Sequence, residues 1–177
     1  MVAPQGHPLR VDGVGDALTL GDGAPLSGIE LTIVLGGDGT ILGAAELMRE
    51  STAPLLGINH GHVGFLAESE RDDLEWTVAQ ALAGDYDVDE RLVLDVVVTD
   101  GEKELFRTFA VNEATIEKAS RARMIEVALE IDGRPISAFG ADGVVMATPT
   151  GSTAYSFSAG GPVVWPGVEA LLMVPLS

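Results

Sequence analysis

Hydrophobic and polar positions follow two different periods along the chain, and the change falls near residue 90. Before it, residues 31–35 form a continuous apolar or β-branched run, apolar residues then recur at helical spacing from Ile41 to Met48, and a second apolar run covers residues 55–58. A continuous run is typical of a strand buried on both faces of a parallel sheet. The order strand, helix, strand predicts a Rossmann-like βαβ unit, with ligands at the carboxyl ends of its strands.

After residue 90 the period is two, as in strands that have one solvent-facing side. The clearest case is Ile125, Val127, Leu129 and Ile131, which alternate with polar or small residues. Further strand-like runs lie between residues 92 and 147. We expect an antiparallel β-sandwich, in which each strand buries one face against a partner sheet.

The two periods divide the chain into three parts. Residues 1–28 are rich in Gly, Pro and Asp and lack an apolar period, so they predict a flexible leader. Residues 29–90 are expected to form an α/β phosphate-binding domain, and residues 91–177 an antiparallel β domain. The predicted fold class is therefore α/β followed by all-β.

Composition limits what the chain can bind. The net charge is −17, from 27 acidic and 10 basic residues, which argues against nucleic acid or an anionic membrane as a partner. An anionic nucleotide must therefore be held by backbone N–H groups, Mg²⁺ and a few local cations. No apolar run is long enough to span a bilayer and no signal peptide is evident, so we expect a cytoplasmic location. The absence of Cys excludes disulfides, thiol nucleophiles and Cys-based zinc sites.

The segment Gly36-Gly37-Asp38-Gly39-Thr40 lies between the first predicted strand and the helix. Glycines at such a turn let the backbone approach an anion, and the N–H groups at the helix N-terminus favour a phosphate. A carboxylate repels a phosphate, so Asp38 indicates a proton acceptor or a Mg²⁺ contact. The plain alternative is a turn, because Asp-Gly is a common turn dipeptide that occurs six times in this chain.

Two later segments interrupt the strand pattern. Asn112-Glu113 places two polar side chains where a strand should continue, which indicates either a β-bulge or a pair that reads a ligand through its amide and carboxylate. Residues 142–162 combine four hydroxyl side chains at Thr148, Thr150, Ser152 and Thr153 with an aromatic ring and a double glycine. That composition suits close packing around a sugar or a nucleobase.

Two other groups of side chains give weaker signals. Lys118, Arg121 and Arg123 lie within six residues and form either a solvated loop or a phosphate contact. His60 and His62 are two residues apart, but no third ligand is evident. We therefore predict no metal site formed by protein side chains alone.

Taken in order, these segments resemble the motif set of the NAD kinase family. The motifs are GGDGT at residues 36–40, NHGHVGF at 59–65, Asn112-Glu113, DG at 142–143, TPTGSTAY at 148–155 and SAGGP at 158–162. GGDGT alone is shared with diacylglycerol, sphingosine and related lipid kinases, whereas the last two motifs are far more specific. The resemblance covers about residues 31–174.

The resemblance implies transfer of the γ-phosphoryl group of ATP, or in some members of inorganic polyphosphate, to the adenosine-ribose 2′-hydroxyl of NAD, giving NADP. It makes Asp38 the general base, places Gly37, Gly39 and Thr40 against the ligand, and implies Mg²⁺ or another divalent cation beside the phosphates. The residues that it assigns to the NAD pocket are Phe65, Asn112, Glu113, Asp142, Thr153, Ala154, Tyr155 and Ser158.

Compared with the family pattern, the chain looks truncated at both ends, so the resemblance implies that its β-sandwich is incomplete. Family members are typically dimers or tetramers, so the complete protein is expected to be a homo-oligomer. Two other hypotheses stay open at this point. One is a lipid or other small-molecule kinase that carries GGDGT, and the other is an inactive fragment that binds NAD.

Overall fold

The computed structural model describes residues 26–59, 66, 74–120 and 123–177. The chain divides into two compact units, Met1–Val88 and Asp89–Ser177. Of the leader predicted over residues 1–28, all but the last three residues lie outside the described part of the chain.

The first unit begins with a βαβ arrangement. Strand β1 covers Thr32–Leu35, helix α1 covers Asp38–Leu47, and strand β2 covers Leu55–Ile58. The two strands are parallel, with Thr32 opposite Leu55 and Leu35 opposite Ile58. A helix between two parallel strands is the crossover that the sequence pattern predicts, so the predicted βαβ unit is confirmed.

Helix α1 packs one apolar face onto this strand pair. Val34, Ile41 and Ala44 form a buried cluster, and Leu66 packs against it. The expectation that β1 is buried on both faces is wrong at Leu35, whose side chain is 38% exposed. Neighbouring residues of a strand point to opposite faces, and this core cluster covers the face that carries Val34.

A second helix, α2, covers Leu74–Ala83. The buried face of this helix is narrow: Ala81 is buried and Val78 is partly buried, whereas Leu82 is 77% exposed. Among the described helices, none is both long and apolar enough to cross a membrane.

The second unit is built from antiparallel strands. In chain order they are β3 (Leu94–Asp100), β4 (Lys103–Ala110), β5 (Glu113–Glu117), β6 (Ile125–Ile131), β7 (Arg134–Ala141), β8 (Gly143–Ala147) and β9 (Leu172–Leu176). β3 pairs with β4 and β6 pairs with β7 as two hairpins, while β8 lies between β5 and β9 in a three-stranded sheet. The predicted α/β part followed by antiparallel β structure is confirmed.

The two hairpins differ in how well they bury their apolar residues. In β6, Ile125, Val127 and Leu129 are partly buried and the residues between them are exposed, as the alternation predicts. In β3, Val97 and Val98 are both exposed although they point to opposite faces. The expectation that every strand buries one face against a partner sheet is therefore wrong for the β3–β4 hairpin.

β8 is the most buried of the described strands. Val145 and Ala147 form a core cluster with Leu172 of β9, and Val164 packs against it. Gly143 begins the strand at a position with no room for a side chain, since a Cβ there would lie 2.6 Å from the Ile116 carbonyl oxygen. This sheet supplies the rigid base for the residues that follow Ala147.

We predict that Gly143→Ala lowers the free energy of unfolding by about 1–3 kcal/mol, because the added methyl group must displace the backbone of β5. Gly140→Ala is the matched control, since its Cβ would meet no atom closer than 3.6 Å. Its effect should stay within about 0.5 kcal/mol. Urea unfolding of both variants measures the difference, and equal effects would contradict the close approach of β5 to β8.

Candidate functional site

The glycine turn of the first unit joins β1 to α1, as predicted. The Gly36 N–H donates to the Ile58 carbonyl at 2.9 Å, which ties the turn to the end of β2. Gly36 has a φ of +153°, and a Cβ there would lie 2.5 Å from Thr40 Oγ1. Only glycine fits a position that combines this φ with so close a neighbour.

Asp38 is the first residue of α1. Its Oδ1 accepts a hydrogen bond from the Leu66 N–H at 3.1 Å, across 28 residues of sequence. The positive end of the helix dipole favours a carboxylate at this place. The carboxylate is thus held in one orientation at the carboxyl end of β1, beside the exposed residues Gly37, Gly39 and Thr40.

The structure separates Asp38 from the other Asp-Gly pairs that it describes. Asp100-Gly101 and Asp132-Gly133 close the two hairpins, with positive φ at both glycines. Asp142-Gly143 leads into β8, and the pairs at Asp12 and Asp22 lie outside the described residues. Asp38-Gly39 alone among the described pairs begins a helix, so it does not form a hairpin turn like those at Asp100 and Asp132.

In the second unit, Asn112-Glu113 lies where the chain leaves one sheet and enters another, and we call these two residues the junction. β4 ends at Ala110, and β5 begins at Glu113, which pairs with Ala147 of β8. A bulge inserts a residue within one strand pair, whereas here the pairing partner changes. The β-bulge alternative is therefore wrong.

Unpartnered buried oxygens collect at the junction and at the segments that touch it. Five buried side-chain oxygens in the described residues lack a hydrogen-bond partner, and four of them are Asn112 Oδ1, Glu113 Oε2, Thr150 Oγ1 and Ser156 Oγ. A buried acceptor without a partner costs free energy, so a group of them indicates a place where a polar ligand supplies the partners.

Burial raises the pKa of the Glu113 carboxyl above its ordinary value of 4.5, and a hydrogen bond from the Tyr155 backbone N–H opposes that rise. The bond also connects the junction to α3, the short helix Tyr155–Ser158. The carboxylate is therefore held on one side by a backbone donor, while Oε2 is left for another partner.

The four hydroxyl side chains of residues 148–153, which we call the hydroxyl turn, have two different roles. Thr148 and Ser152 are fully buried, and each hydroxyl donates to a backbone carbonyl and accepts from a backbone N–H. Thr150 Oγ1 has no partner, and Thr153 Oγ1 lies 3.4 Å from the Thr150 carbonyl oxygen. The interpretation of all four as sugar-facing groups is wrong for Thr148 and Ser152, because their hydrogen bonds shape the backbone.

Asp142 lies away from the junction. Its Oδ1 is 2.5 Å from Lys118 Nζ, and the Lys118 N–H donates to its carbonyl oxygen. In the β5–β8 register, Gly143 is opposite Glu117 whereas Ala147 is opposite Glu113. Four residues of strand correspond to about 13 Å, so Asp142 and the junction lie at opposite ends of β8.

The remaining predicted residues are placed as follows. Thr153 and Ala154 are partly buried at the end of the hydroxyl turn, and Tyr155 and Ser158 are exposed on α3. Phe65, His60, His62 and Arg121 lie outside the described residues, and Arg123 is exposed. Within the described ranges, no three His, Asp or Glu side chains converge in a way that could hold a metal ion.

Sequence reasoning did not single out Thr148 or Ser156. Thr148 is one of four hydroxyl residues in a short segment, and nothing in the pattern distinguishes it as the one that bonds the Val111 carbonyl. Ser156 follows Tyr155 without any periodic signal, yet it is fully buried. Both positions depend on tertiary contacts.

Comparison with known proteins gives a consistent result. The family model described as ATP-NAD kinase N-terminal domain matches residues 18–86, and the one described as ATP-NAD kinase C-terminal domain matches residues 111–177. The chain is 67% identical over 160 residues to an NAD kinase of Leifsonia xyli subsp. xyli, covering 90% of this chain and 53% of that protein. It is 63% identical over 155 residues to an NAD kinase of Thermobifida fusca, covering 85% and 48%. The chain thus spans about half the length of the curated relatives it matches.

Two solved structures are also similar. Yeast NADH kinase complexed with NADH matches with a TM-score of 0.77 and 32% identity, over 84% of this chain and 44% of that one. An NAD kinase from Archaeoglobus fulgidus in complex with ATP matches with a TM-score of 0.66 and 33% identity, over 84% of this chain and 56% of that one.

The buried carboxyl of Glu113 leads to a prediction about pH and stability. Because folding raises its pKa, the folded chain binds more protons than the unfolded chain just above pH 4.5, and stability from this group falls as pH rises through that window. Glu113→Gln removes the ionised group while its amide oxygen still accepts from Tyr155. We expect this variant to be more stable than the wild type at pH 7, with the gain shrinking as pH falls towards 4.5.

Glu117→Gln is the control for that experiment, because Glu117 is exposed in the same strand and carries the same charge. Thermal unfolding over a pH series compares the two variants. If Glu117→Gln stabilises the chain as much as Glu113→Gln does, relief of the overall negative charge explains the gain and burial of Glu113 does not.

Proposed function

We propose that this chain, which belongs to the NAD kinase family, phosphorylates NAD at the 2′-hydroxyl of its adenosine ribose with ATP and so forms NADP. The observation that carries the proposal is the group of unpartnered buried oxygens at the junction and the adjoining segments. All four lie in the region that matches the C-terminal domain model. Amide and carboxylate acceptors of this kind suit the hydroxyl and amino groups of a nucleotide.

In this proposal Asp38 is the general base for the 2′-hydroxyl. Its fixed orientation, from the Leu66 N–H, supports that role, because phosphoryl transfer asks the protein mainly for positioning and for one carboxylate that accepts the hydroxyl proton. Gly37, Gly39 and Thr40 then lie along the ligand, where exposed backbone leaves room for a phosphate.

In this proposal, each residue of the NAD pocket has a polar side chain, a small side chain or an aromatic ring. They are Phe65, Asn112, Glu113, Asp142, Thr153, Ala154, Tyr155 and Ser158. Within one chain, the junction and Asp142 are too far apart to contact the same ribose. In this proposal they therefore bind different parts of one NAD molecule, or two different NAD molecules.

A divalent cation fits this site only together with the nucleotide. The described residues offer Asp38 but no cluster of three ligands, and Mg²⁺ commonly binds through one or two carboxylates and the phosphates of its substrate. When bound, the cation neutralises charge on the phosphates. We therefore include Mg²⁺ as the companion of ATP and assign it no ligand among the side chains of the described residues.

Four finer points belong to the same proposal. ATP is the donor, supported by the Archaeoglobus fulgidus neighbour that holds ATP, and polyphosphate is an alternative donor. A dinucleotide acceptor is supported by the yeast neighbour that holds NADH. The protein acts in the cytoplasm, and it acts as a homo-oligomer.

The two competing hypotheses are less well supported. A lipid kinase shares GGDGT but not the C-terminal motifs, and both matched family models and the relatives reported above are NAD kinases. An inactive NAD-binding fragment predicts binding without turnover. A titration with NAD next to an assay of NADP formation separates these outcomes, with diacylglycerol as the alternative acceptor.

We predict that the chain forms NADP from NAD, ATP and Mg²⁺, and that Asp38→Asn lowers kcat by about 10²- to 10⁴-fold, since the amide keeps the shape but cannot accept the proton. NAD affinity should change little. Coupled detection of NADP with a dehydrogenase that accepts only NADP measures both variants.

Asp100→Asn is the matched control, because it makes the same change at an Asp-Gly hairpin turn. It should leave kcat unchanged. Absence of NADP formation by the wild type contradicts the proposed function, while kcat of Asp38→Asn within about threefold of the wild type contradicts only the role of Asp38.

A second prediction concerns the junction. Asn112→Ala should raise KM for NAD about tenfold, the equivalent of one hydrogen bond, and should leave kcat and the melting temperature nearly unchanged. The reason is that Asn112 Oδ1 has no partner within the described residues, so its removal costs the folded chain little. Lower stability with an unchanged KM would assign Asn112 to folding instead.

A further inference from the structure

We propose that Thr148 is a positioning residue: its buried hydroxyl and N–H fix the junction, so that Asn112 and Glu113 present their free oxygens to NAD. This role rests on the proposed function. Thr148 itself is fully buried and its hydroxyl is used twice within the protein, so it does not contact the substrate.

Three hydrogen bonds connect Thr148 to the segments that it positions. Its Oγ1 donates to the Val111 carbonyl at 2.6 Å, and its N–H donates to the Asn112 carbonyl at 2.9 Å. The same Oγ1 accepts from the Gly151 N–H at 3.0 Å. One residue therefore bonds both residues between β4 and β5, Val111 through its hydroxyl and Asn112 through its backbone N–H, and its hydroxyl also bonds Gly151 of the hydroxyl turn.

Gly151 shows how closely the hydroxyl turn lies on the junction. A Cβ at Gly151 would lie 2.7 Å from the Asn112 Cα and closer still to its carbonyl group. No side chain fits there without moving backbone atoms. The turn and the junction are thus in direct backbone contact, and the Thr148 hydroxyl lies at that contact.

The junction needs such support because strand pairing holds it from one side only. The β3–β4 ladder ends at Ala110, and the β5–β8 ladder begins at Glu113. Val111 and Asn112 lie between the two ladders, and their carbonyl groups both accept from Thr148. The direction of the Asn112 side chain and the start of β5 therefore depend on Thr148.

The test is a series at position 148 that keeps the volume and removes the hydrogen bonds. Thr148→Val is nearly isosteric and loses both bonds of Oγ1, whereas Thr148→Ser keeps the hydroxyl and loses a methyl group. Thr108→Val is the control, because Thr108 Oγ1 has only a 3.5 Å contact with the Phe109 carbonyl oxygen. NAD binding is measured by calorimetry, and exchange of the Gly151 amide proton by NMR.

We expect Thr148→Val to weaken NAD binding about tenfold or more, with faster exchange of the Gly151 amide, and Thr148→Ser and Thr108→Val to bind within about threefold of the wild type. In turnover, Thr148→Val should raise KM for NAD while KM for ATP and kcat stay the same. A general loss of stability does not produce this split between the KM for NAD and the other two constants.

If Thr148→Val does not fold, Thr148→Cys carries the test, because a thiol is a weak donor and acceptor. Its Kd for NAD should lie above that of Thr148→Ser by about threefold or more, since weaker bonds hold the junction. Equal Kd values for wild type and Thr148→Val, or for Thr148→Ser and Thr148→Cys, overturn the positioning role. Failure of the wild type to bind NAD at all instead overturns the proposed function, and the positioning role falls with it.

Discussion

The antiparallel pairing of β5 with β8 is the interaction on which the candidate NAD site depends. It places Glu113, the second residue of the junction, opposite Ala147, which directly precedes the hydroxyl turn. β8 can serve as this base because it has a strand on each edge and a buried core of Val145, Ala147 and Leu172. A shift of one residue in the register would move Glu113 to the other face of the sheet and separate it from Tyr155.

The region around β8, the most buried of the described strands, also holds polar groups that disfavour folding. Glu113 is partly desolvated, and Asn112, Thr150 and Ser156 keep buried oxygens without partners. Each such group lowers stability in the absence of ligand. Nearby hydroxyls are fully bonded, as at Ser152, whose Oγ donates to the Val164 carbonyl and accepts from the Val164 N–H. In one short segment, the hydroxyls of Thr148 and Ser152 thus shape the backbone, whereas the hydroxyl of Thr150 has no partner.

Much of the fold was accessible from periodicity, because helices and strands bury faces at fixed intervals. The βαβ order and the alternation in β6 follow directly from where apolar residues fall. Burial itself was less predictable: the run at residues 31–35 and the valines of β3 have the right chemistry, but their exposure depends on which elements cover them. For the site, the sequence indicated Asp38 because a carboxylate lies in a glycine turn before a helix, and it indicated the junction because two polar residues interrupt a strand pattern. Thr148 could not be distinguished from the neighbouring hydroxyl residues.

Asp-Gly illustrates why local sequence left alternatives that tertiary structure resolves. The dipeptide at residues 132–133 and the one at residues 38–39 are identical, yet the first adopts positive φ in a hairpin and the second begins a helix. The difference lies in the flanking residues: a parallel strand and Gly36 precede Asp38, and the Leu66 N–H, 28 residues away, orients its carboxylate. Asp132, in contrast, lies between β6 and β7, which pair with each other as an antiparallel hairpin. The direction of the Asp38 carboxylate is thus set by a distant part of the chain, and that information is carried by the fold and not by the dipeptide.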